Sequence, residues 1–262
     1  MPVDGTGPVR VGVFGAGGRM GTAVCAAVSA DPQLELVAAV DPAHVGETTA
    51  AGRLTIATGP EGMGEGDAEV AVDFTVAASA AANAEWCARH GVHAVIGTTG
   101  FTPAQLVAMR DEFEASPANC VVAPNFAIGA VLMMRFAELA APWFDSVEIV
   151  ELHHDAKIDA PSGTALLTAQ RIAAARKGPS ESEGQILPAR GTEGAPGVQV
   201  HSVRLRGLVA HHEVLFGTAG QVLTLRHDSI DRGSFMPGVL LAVKQVPSRR
   251  GFTLGLDALL GI

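Results

Sequence analysis

The sequence predicts an α/β protein in which a doubly wound parallel sheet is joined to a second, α+β domain with a mixed or antiparallel sheet. Two observations predict this fold class. From Val9 onwards, short β-rich runs alternate with alanine-rich helical stretches, as in the βαβ units of a parallel sheet. After Pro142, three strand-length runs follow one another through glycine-containing turns, which favours antiparallel pairing. We expect residues 1–126 and 234–262 to form the first domain and residues 127–233 the second.

The elements up to residue 139 are predicted in chain order from their apolar runs. The runs at 70–74 and 92–96 are largely apolar, as expected of strands that are covered on both faces. The predicted strands are 9–14, 34–40, 70–74, 92–96 and 120–123, and the predicted helices are 20–30, 77–90, 101–115 and 128–139.

After Pro142 the sequence predicts a strand over 147–152 and an amphipathic helix over 162–177. The stretch 178–197 is rich in Gly, Pro and Glu and is predicted to be an exposed loop. Three strands are then predicted at 198–206, 211–218 and 221–227. A helix over 235–246 and a short strand over 252–256 complete the pattern.

Composition excludes several classes of protein. Of the 262 residues, 48% are hydrophobic and 17% charged, which excludes a disordered chain. The net charge of −9 disfavours nucleic acid as a partner. The longest apolar-rich run, 121–134, is too short to span a membrane and contains a proline. The first ten residues lack the apolar segment of a secretory signal, so we expect a cytoplasmic protein without a membrane partner.

The cysteine and tyrosine contents disfavour disulfides and zinc sites and exclude one kind of dehydrogenase active site. The three cysteines, Cys25, Cys87 and Cys120, are odd in number, far apart and in apolar surroundings. They are predicted to be buried reduced thiols, not disulfides or zinc ligands. The chain has no tyrosine, which excludes the Tyr-x-x-x-Lys pair of the short-chain dehydrogenases.

A glycine cluster lies between the first strand and the first helix. It runs Gly15-Ala16-Gly17-Gly18-Arg19-Met20-Gly21, so the third glycine of a G-x-G-x-x-G pattern is displaced by one position. Such a turn at a helix start binds a pyrophosphate through backbone N–H groups. Asp41 follows the second strand, where a carboxylate binds the ribose hydroxyls of NAD, whereas Arg19 could reach the 2′-phosphate of NADP. A plain glycine turn with a solvated Asp41, and a surface role for Arg19, are the alternatives.

Two further loops follow strands of the same predicted sheet. They are Gly97-Thr98-Thr99-Gly100 and Ala123-Pro124-Asn125-Phe126. Ligands bind at the carboxyl edge of open α/β sheets, so we expect these loops to flank a nicotinamide. Gly and Pro punctuate most strand ends, so a purely structural role is also open.

The second cluster of chemically active residues lies between Glu151 and Ala165. His153 and His154 supply a proton donor, and Lys157 supplies a fixed positive charge. Ser162-Gly163-Thr164 is predicted to lie at a helix start, with Pro161 just inside the helix N-terminus. The N–H groups of Gly163 and Thr164 would then bind a carboxylate. His211 and His212 are interpreted as sheet residues, because adjacent side chains of a strand point to opposite faces, and we expect no metal site.

Together these segments resemble the 4-hydroxy-tetrahydrodipicolinate reductase (dihydrodipicolinate reductase) family. The resemblance is carried by 15–21, 73–75, 97–100, 123–126 and above all by the stretch Glu151-Leu-His-His-Asp-Ala-Lys-Ile-Asp-Ala-Pro-Ser-Gly-Thr-Ala165. It implies a Rossmann-type first domain, a homotetramer, and NADH- or NADPH-dependent reduction of a cyclic dicarboxylate in lysine and diaminopimelate synthesis. In some members an Arg follows the acidic residue of the second strand, and here that position is Pro42.

The resemblance also implies roles for individual residues. His153 and Lys157 are expected to be catalytic, and His154, Gly163 and Thr164 to bind substrate. Another two-domain dehydrogenase of an amino or keto acid, and a non-catalytic nicotinamide sensor, are the alternative functions. The expected cofactor contacts are Gly15, Ala16, Gly17, Gly18, Arg19, Met20, Asp41, Gly97, Thr98, Thr99, Ala123, Pro124, Asn125 and Phe126.

Overall fold

A computed structural model describes residues 7–49, 52, 54–176 and 190–262 of the chain. The chain divides into two compact units. The first comprises Met1–Phe126 and Phe235–Ile262, and the second comprises Ala127–Ser234.

The first unit is a six-stranded parallel sheet with helices. Its strands are β1 (Val9–Phe14), β2 (Leu34–Val40), β3 (Val70–Asp73), β4 (His93–Ile96), β5 (Cys120–Val122) and β11 (Phe252–Leu254). Its helices are α1 (Arg19–Ala30), α2 (Glu61–Glu65), α3 (Ala77–His90), α4 (Pro103–Glu114), α7 (Met236–Gln245) and α8 (Asp257–Leu260). The predicted doubly wound sheet is confirmed.

The strand order is β11-β5-β4-β3-β1-β2, so the chain reverses direction across the sheet after β2. Every residue of β3 and β5 is buried, which explains why these strands are largely apolar along their length. At such a reversal the loops after β1 and β3 diverge and leave a crevice at the carboxyl edge. The glycine cluster lies at this edge.

The last strand of this sheet is supplied from the far end of the sequence. β11 pairs with β5 in parallel. Asn119, which precedes β5, donates from Nδ2 to the carbonyls of Val246 and Pro247 and accepts from the N–H of Gly251. These buried hydrogen bonds hold the C-terminal segment to the sheet.

The second unit is a five-stranded mixed sheet with two helices. Its strands are β6 (Ser146–His153), β7 (Thr192–Ala195), β8 (Val198–Arg204), β9 (Ala210–Thr218) and β10 (Gln221–Ser229), and its helices are α5 (Ile128–Ala140) and α6 (Gly163–Ala175). The order is β10-β9-β6-β8-β7, in which β6 and β8 are parallel and the other pairs antiparallel. Val147, Ile149 and Glu151 alternate on the buried face of the central strand.

The structure corrects the sequence prediction in this unit. Of the predicted loop 178–197, residues 178–189 lie outside the described residues, and Thr192–Ala195 forms the edge strand β7 on β8, so the loop prediction was wrong there. The predicted helix 162–177 begins at Gly163 and ends at Ala175, and Lys177 lies outside the described residues. In the first unit the short helices α2 and α8 were not predicted.

Two other findings concern the cysteines and membrane spans. Cys25, Cys87 and Cys120 are buried free thiols, as predicted. Through the part of the chain that the structure describes, no helix combines the length and apolarity needed to cross a membrane.

Candidate active site

The turn between β1 and α1 is held by its own backbone. Gly15 has a positive φ of 70°, and its N–H and that of Ala16 donate to the carbonyl of Val40. The N–H of Gly18 donates back to the carbonyl of Gly15 at 3.0 Å. A Cβ on Gly21 would lie 1.9 Å from that same carbonyl oxygen. The displaced glycine at position 21 therefore permits the close approach of helix α1 to the turn.

Asp41 lies directly after β2 and faces this turn. Its side chain accepts from the N–H of Gly17 at Oδ2, 3.1 Å, and from the N–H of Ala43 at Oδ1, 3.0 Å. Nδ1 of His44 lies 3.1 Å from the same Oδ2, and a Cβ on Gly17 would lie 2.2 Å from the His44 ring. The sequence analysis assigned no role to His44.

The arrangement suits a dinucleotide. By helix geometry the first N–H groups of α1 have no acceptor within the helix, so the positive end of its dipole faces the glycine turn. The ionisable carboxyl of Asp41 lies beside that turn. Backbone donors for a pyrophosphate and a carboxylate for ribose hydroxyls are thus combined at one edge.

The loops after β3 and β4 are joined through Asp73, which is buried. Its Oδ1 accepts from the N–H of Thr75 and the hydroxyls of Thr75 and Thr98, and its Oδ2 accepts from Asn83 Nδ2 at 2.7 Å. Since Thr98 is in the second predicted nucleotide loop, Asp73 fixes that loop on its strand.

An aromatic contact joins the loop after β3 to the third nucleotide loop. The rings of Phe74 and Phe126 lie 5.7 Å apart, and a Cβ on Gly97 would lie 2.0 Å from the Phe74 ring. Only a glycine at position 97 leaves room for this ring. The loops predicted from sequence at 97–100 and 123–126 therefore meet at the same edge as the glycine turn.

In the second unit the candidate catalytic histidine ends strand β6. Nδ1 of His153 lies 2.5 Å from Oε2 of Glu151, two residues earlier on the same face. Glu151 is fully buried and also accepts from both terminal nitrogens of Arg204 and from the N–H of Ser162. The His153 side chain is only 16% exposed, so its ring is held near the protein surface by a buried carboxylate.

The second residue predicted to be catalytic, a lysine, lies in the loop after β6. Lys157 donates from its N–H to the carbonyl of His154, and its Nζ lies 2.7 and 2.8 Å from the two oxygens of Asp159. Hydrogen bonds from Lys157 lower the pKa of Asp159 below its usual value. The ammonium group of Lys157 is therefore paired with the Asp159 carboxylate in this structure.

Helix α6 begins beside this loop, one residue later than its sequence suggests. Ser162 is the N-cap, and its Oγ accepts from the N–H of Ala165 at 3.3 Å. Gly163 and Thr164 are the first two helical residues. The expectation that Pro161 lies just inside the helix was wrong, because the serine takes the cap and the proline precedes it.

The remaining paired histidines are sheet residues, as predicted. His211 on β9 bonds Asp228 at 2.6 Å, whereas His212 is buried opposite Glu151. Burial lowers the pKa of His212 to about 4, so it is neutral at pH 7. Among the described residues there is no cluster of three or more His, Cys, Asp or Glu placed to hold a metal ion.

Sequence reasoning missed several polar residues of these two sites. Glu151 was quoted within its motif without a role, although its spacing from His153 places both on one face of a strand. Arg204 lies on another strand, and nothing local to its sequence indicates its carboxylate partner. Asp73 was noted only as part of the family resemblance.

Known proteins match this chain over nearly its whole length. A family model described as the dihydrodipicolinate reductase N-terminus matches residues 9–126, and one described as its C-terminus matches residues 129–260. The 4-hydroxy-tetrahydrodipicolinate reductase of Nocardia farcinica is 52% identical over 97% of this chain and 99% of its own. That of Cutibacterium acnes is 51% identical over the same shares.

Solved structures agree with the sequence matches. A dipicolinate-bound dihydrodipicolinate reductase from Paenisporosarcina sp. TG-14 has a TM-score of 0.81 and 40% identity, covering 96% of this chain and 99% of its own. An amine dehydrogenase from Mycobacterium smegmatis, with a TM-score of 0.65 but 14% identity, covers 95% of each chain and shares the fold alone.

Two family models that match residues 9–126 and 129–260, and relatives about half identical from end to end, lead to one conclusion. The chain belongs to the dihydrodipicolinate reductase family of NADH- or NADPH-using oxidoreductases.

Proposed function

We propose that this chain reduces 4-hydroxy-tetrahydrodipicolinate to tetrahydrodipicolinate, with loss of water, in the synthesis of diaminopimelate and lysine. The relatives that match over the whole chain carry the name of this activity. The observation that carries the proposal is the segment from β6 to α6. This segment contains, in chain order, a histidine held by a buried carboxylate, a lysine paired with an aspartate, and the start of a helix.

The substrate is a cyclic dicarboxylate. The 40%-identical relative was solved with dipicolinate, a planar dicarboxylate. In this chain Lys157 supplies a cation, and the first turn of α6, with Gly163 and Thr164, supplies N–H groups at the positive end of a helix dipole. His154 directly follows His153 at the end of β6, and we assign it to substrate contact as well.

The chemistry requires one hydride and one proton. Loss of the 4-hydroxyl as water leaves a conjugated imine, and a nicotinamide, when bound, would supply the hydride that C4 takes up. His153 then donates a proton to C3 of the resulting enamine. Lys157 is a second donor and holds a carboxylate, so that the electron-poor ring is oriented before the proton moves.

Cofactor binding is assigned to the edge of the parallel sheet. Residues 15–20, 97–99 and 123–126 form the three loops, and Asp41 lies beside the glycine turn. The proposed domain boundaries accompany this assignment, with 1–126 and 234–262 binding nucleotide and 127–233 binding substrate and mediating oligomerisation. A homotetramer and a cytoplasmic location complete the proposal, and light scattering after gel filtration tests the first of these.

The test is NADH or NADPH oxidation at 340 nm with the dicarboxylate generated by a preceding synthase reaction. The His153→Ala variant should lose about 10²- to 10⁴-fold in kcat, the usual value of general acid catalysis. Its dissociation constant for NADH, from nucleotide fluorescence, should stay within about twofold of wild type. His90→Ala, in the exposed part of α3, is the matched control.

The outcomes separate the alternatives. A variant that keeps more than half of the wild-type kcat would remove His153 from the mechanism. Turnover of a different amino or keto acid, without turnover of the dicarboxylate, would favour another two-domain dehydrogenase. Nucleotide binding without any turnover would favour a sensor.

A further inference from the structure

Glu151 is a buried side chain of the second unit with several hydrogen-bond partners, and the proposed reaction leaves it without a role. It is fully buried on the central strand β6. The donors to its two oxygens include Nδ1 of His153 at 2.5 Å, the two terminal nitrogens of Arg204 at 3.0 and 2.8 Å, and the N–H of Ser162 at 3.2 Å. A buried carboxylate with this many donors is an organised site.

The charges around Glu151 keep it ionised. Burial opposes its charge, but hydrogen bonds from His153, Arg204 and Ser202 outweigh burial and lower its pKa to about 2. On the neighbouring strand β9, His212 lies directly opposite in the sheet register, and burial keeps it neutral. His227, on β10, lies opposite His212 in turn, and burial lowers its pKa as well. Arg204 is therefore the fixed cation that balances Glu151 from β8.

An ionised Glu151 dictates which nitrogen of His153 carries a proton. A carboxylate only accepts hydrogen bonds, so Nδ1 must be the donor in the 2.5 Å contact. Nε2 is then the ring atom left for exchange with a ligand. The same contact fixes the rotation of the ring, since the strand holds Glu151 and His153 on one face.

Arg204 extends this connection to the rest of the substrate segment. Besides Glu151, its terminal nitrogen donates to the carbonyl of Asp159 at 2.6 Å, and Asp159 is the residue that pairs with Lys157. Ser162, which donates to Glu151, caps helix α6. One ion pair thus contacts the histidine, the lysine loop and the helix start.

We propose that Glu151, clamped by Arg204, is the positioning residue of the substrate site: it holds His153 with Nδ1 protonated and Nε2 directed to the reacting atom, and fixes the Lys157 loop and the α6 start around it. This rests on the proposed function, in which His153 is the acid. Glu151 acts through His153 and does not touch the substrate.

The first test needs no variant at Glu151. Long-range proton–nitrogen NMR of the ¹⁵N-histidine enzyme reports which ring nitrogen is protonated, and a His153→Asn sample identifies that residue among the nine histidines. We expect Nδ1 of His153 to stay protonated at every pH from 6 to 9. An unprotonated Nδ1 with a protonated Nε2 at pH 9 would overturn the proposal.

The second test compares Glu151→Gln with Glu148→Gln. Glu148 is the matched control, because it lies on the same strand and also contacts a histidine and an arginine. These partners, His201 and Arg190, are outside the proposed site. Glu151→Gln should lower kcat about 10- to 100-fold, as loss of an orienting partner does. It should also let Nε2 of His153 become protonated, while the dissociation constant for NADH stays within twofold. Glu148→Gln should leave all three quantities within twofold.

Failures of the two proposals are distinguishable. If His153→Asn keeps its activity, the proposed catalytic role fails, whatever the tautomer. If His153→Asn is inactive but Glu151→Gln keeps wild-type kcat and tautomer, the positioning role fails and the catalytic role stands. If Glu151→Gln does not fold, the positioning role is decided by the wild-type tautomer and by the kcat of Arg204→Lys. Arg204→Lys keeps the positive charge but loses the bidentate contact with Glu151. A wild-type rate in Arg204→Lys would contradict the role of Arg204 as a clamp.

Discussion

At the scale of single residues, each candidate site contains a carboxylate side chain that already makes hydrogen bonds within the protein. Asp41 accepts two backbone N–H groups beside the glycine turn, and Asp159 is paired with Lys157. A ligand must therefore share or replace a contact that exists before it arrives. The strength of these existing contacts sets how far each substitution changes affinity.

Cofactor choice is the first prediction at this scale. On the proposed assignment, Asp41 binds the ribose hydroxyls of NADH and repels the 2′-phosphate of NADPH, whereas Arg19 attracts that phosphate. A charged hydrogen bond contributes about 1.5 to 3 kcal/mol, and the opposing contact is of similar size. We expect wild-type kcat/KM values for the two cofactors within about tenfold, with NADH ahead. Asp41→Ala should weaken NADH selectively and Arg19→Ala should weaken NADPH selectively.

The kcat/KM values and dissociation constants of both cofactors, measured for the wild type and the two variants, check this prediction. Glu35→Ala, at an exposed position of β2, is the control. A wild-type preference for NADPH above a hundredfold would show that Asp41 does not bind the ribose.

The second prediction concerns the Lys157–Asp159 pair. The Asp159 side chain is 60% exposed, and exposed ion pairs contribute about 0.2 to 1 kcal/mol. Asp159→Asn should therefore tighten binding of pyridine-2,6-dicarboxylate by up to about fivefold, because Lys157 no longer has a competing carboxylate. Calorimetric titration of wild type and variant measures this change. Weaker binding in the variant would mean that Asp159 orients Lys157 instead of competing with the ligand.

At the scale of elements, helix α1 approaches the glycine turn more closely than a side chain at Gly21 would allow. The contact between Gly21 and the carbonyl of Gly15 leaves no space for a Cβ. The position of the third glycine is therefore fixed by packing between helix and turn, and the departure from the usual spacing has a structural cause.

Gly21→Ala should destabilise the first unit by about 1 to 3 kcal/mol, the usual cost of overpacking, and weaken NADH binding because the turn must move. Gly64→Ala is the matched control, because a Cβ there meets nothing within 4 Å and the residue is also helical. Thermal unfolding and NADH titration of both variants provide the comparison. Unchanged NADH affinity in Gly21→Ala would separate this packing from nucleotide binding.

Sequence patterns predicted those elements whose stability is encoded locally. The strands of the parallel sheet are apolar runs, and the residues between Glu151 and Ala165 are contiguous, so both could be identified without a structure. β7 could not, because its glycine-containing sequence becomes a strand only by pairing with the edge of β8. The Glu151–Arg204 contact joins residues 53 positions apart, and α2 contains two glycines that disfavour a helix.

At the scale of the whole molecule, buried histidines make stability depend on pH. Burial lowers the pKa of His212 to about 4, and it also lowers the pKa values of His93 and His227. Because an unfolded histidine titrates near 6.5, the unfolded chain binds more protons below that pH. The stabilisation is thus complete above about pH 6.5 and is lost as the pH falls towards 4.

We expect His212 alone to account for about 3 kcal/mol of this loss between pH 6.5 and pH 4. Below pH 4.5 the loss continues, because Glu151, with a pKa of about 2, must be protonated when the chain unfolds. Calorimetric scans of wild type and His212→Gln from pH 8 to pH 4 test the assignment. The variant should lose less stability over this range, whereas His90→Gln should follow wild type, and equal pH dependence in all three would exclude His212 as the cause.

Because β11 pairs with β5, the parallel sheet can be completed only late in translation. β5 leaves the ribosome long before its neighbour, since the whole second unit is synthesised between them. At roughly 5 to 20 residues per second, the edge of β5 waits on the order of ten seconds for its partner. Throughout that interval the nascent sheet has an open hydrophobic border at Cys120–Val122, where a chaperone or a second nascent chain could bind. The first unit therefore begins to be synthesised before the second unit, but its sheet is completed only after the second unit has been synthesised.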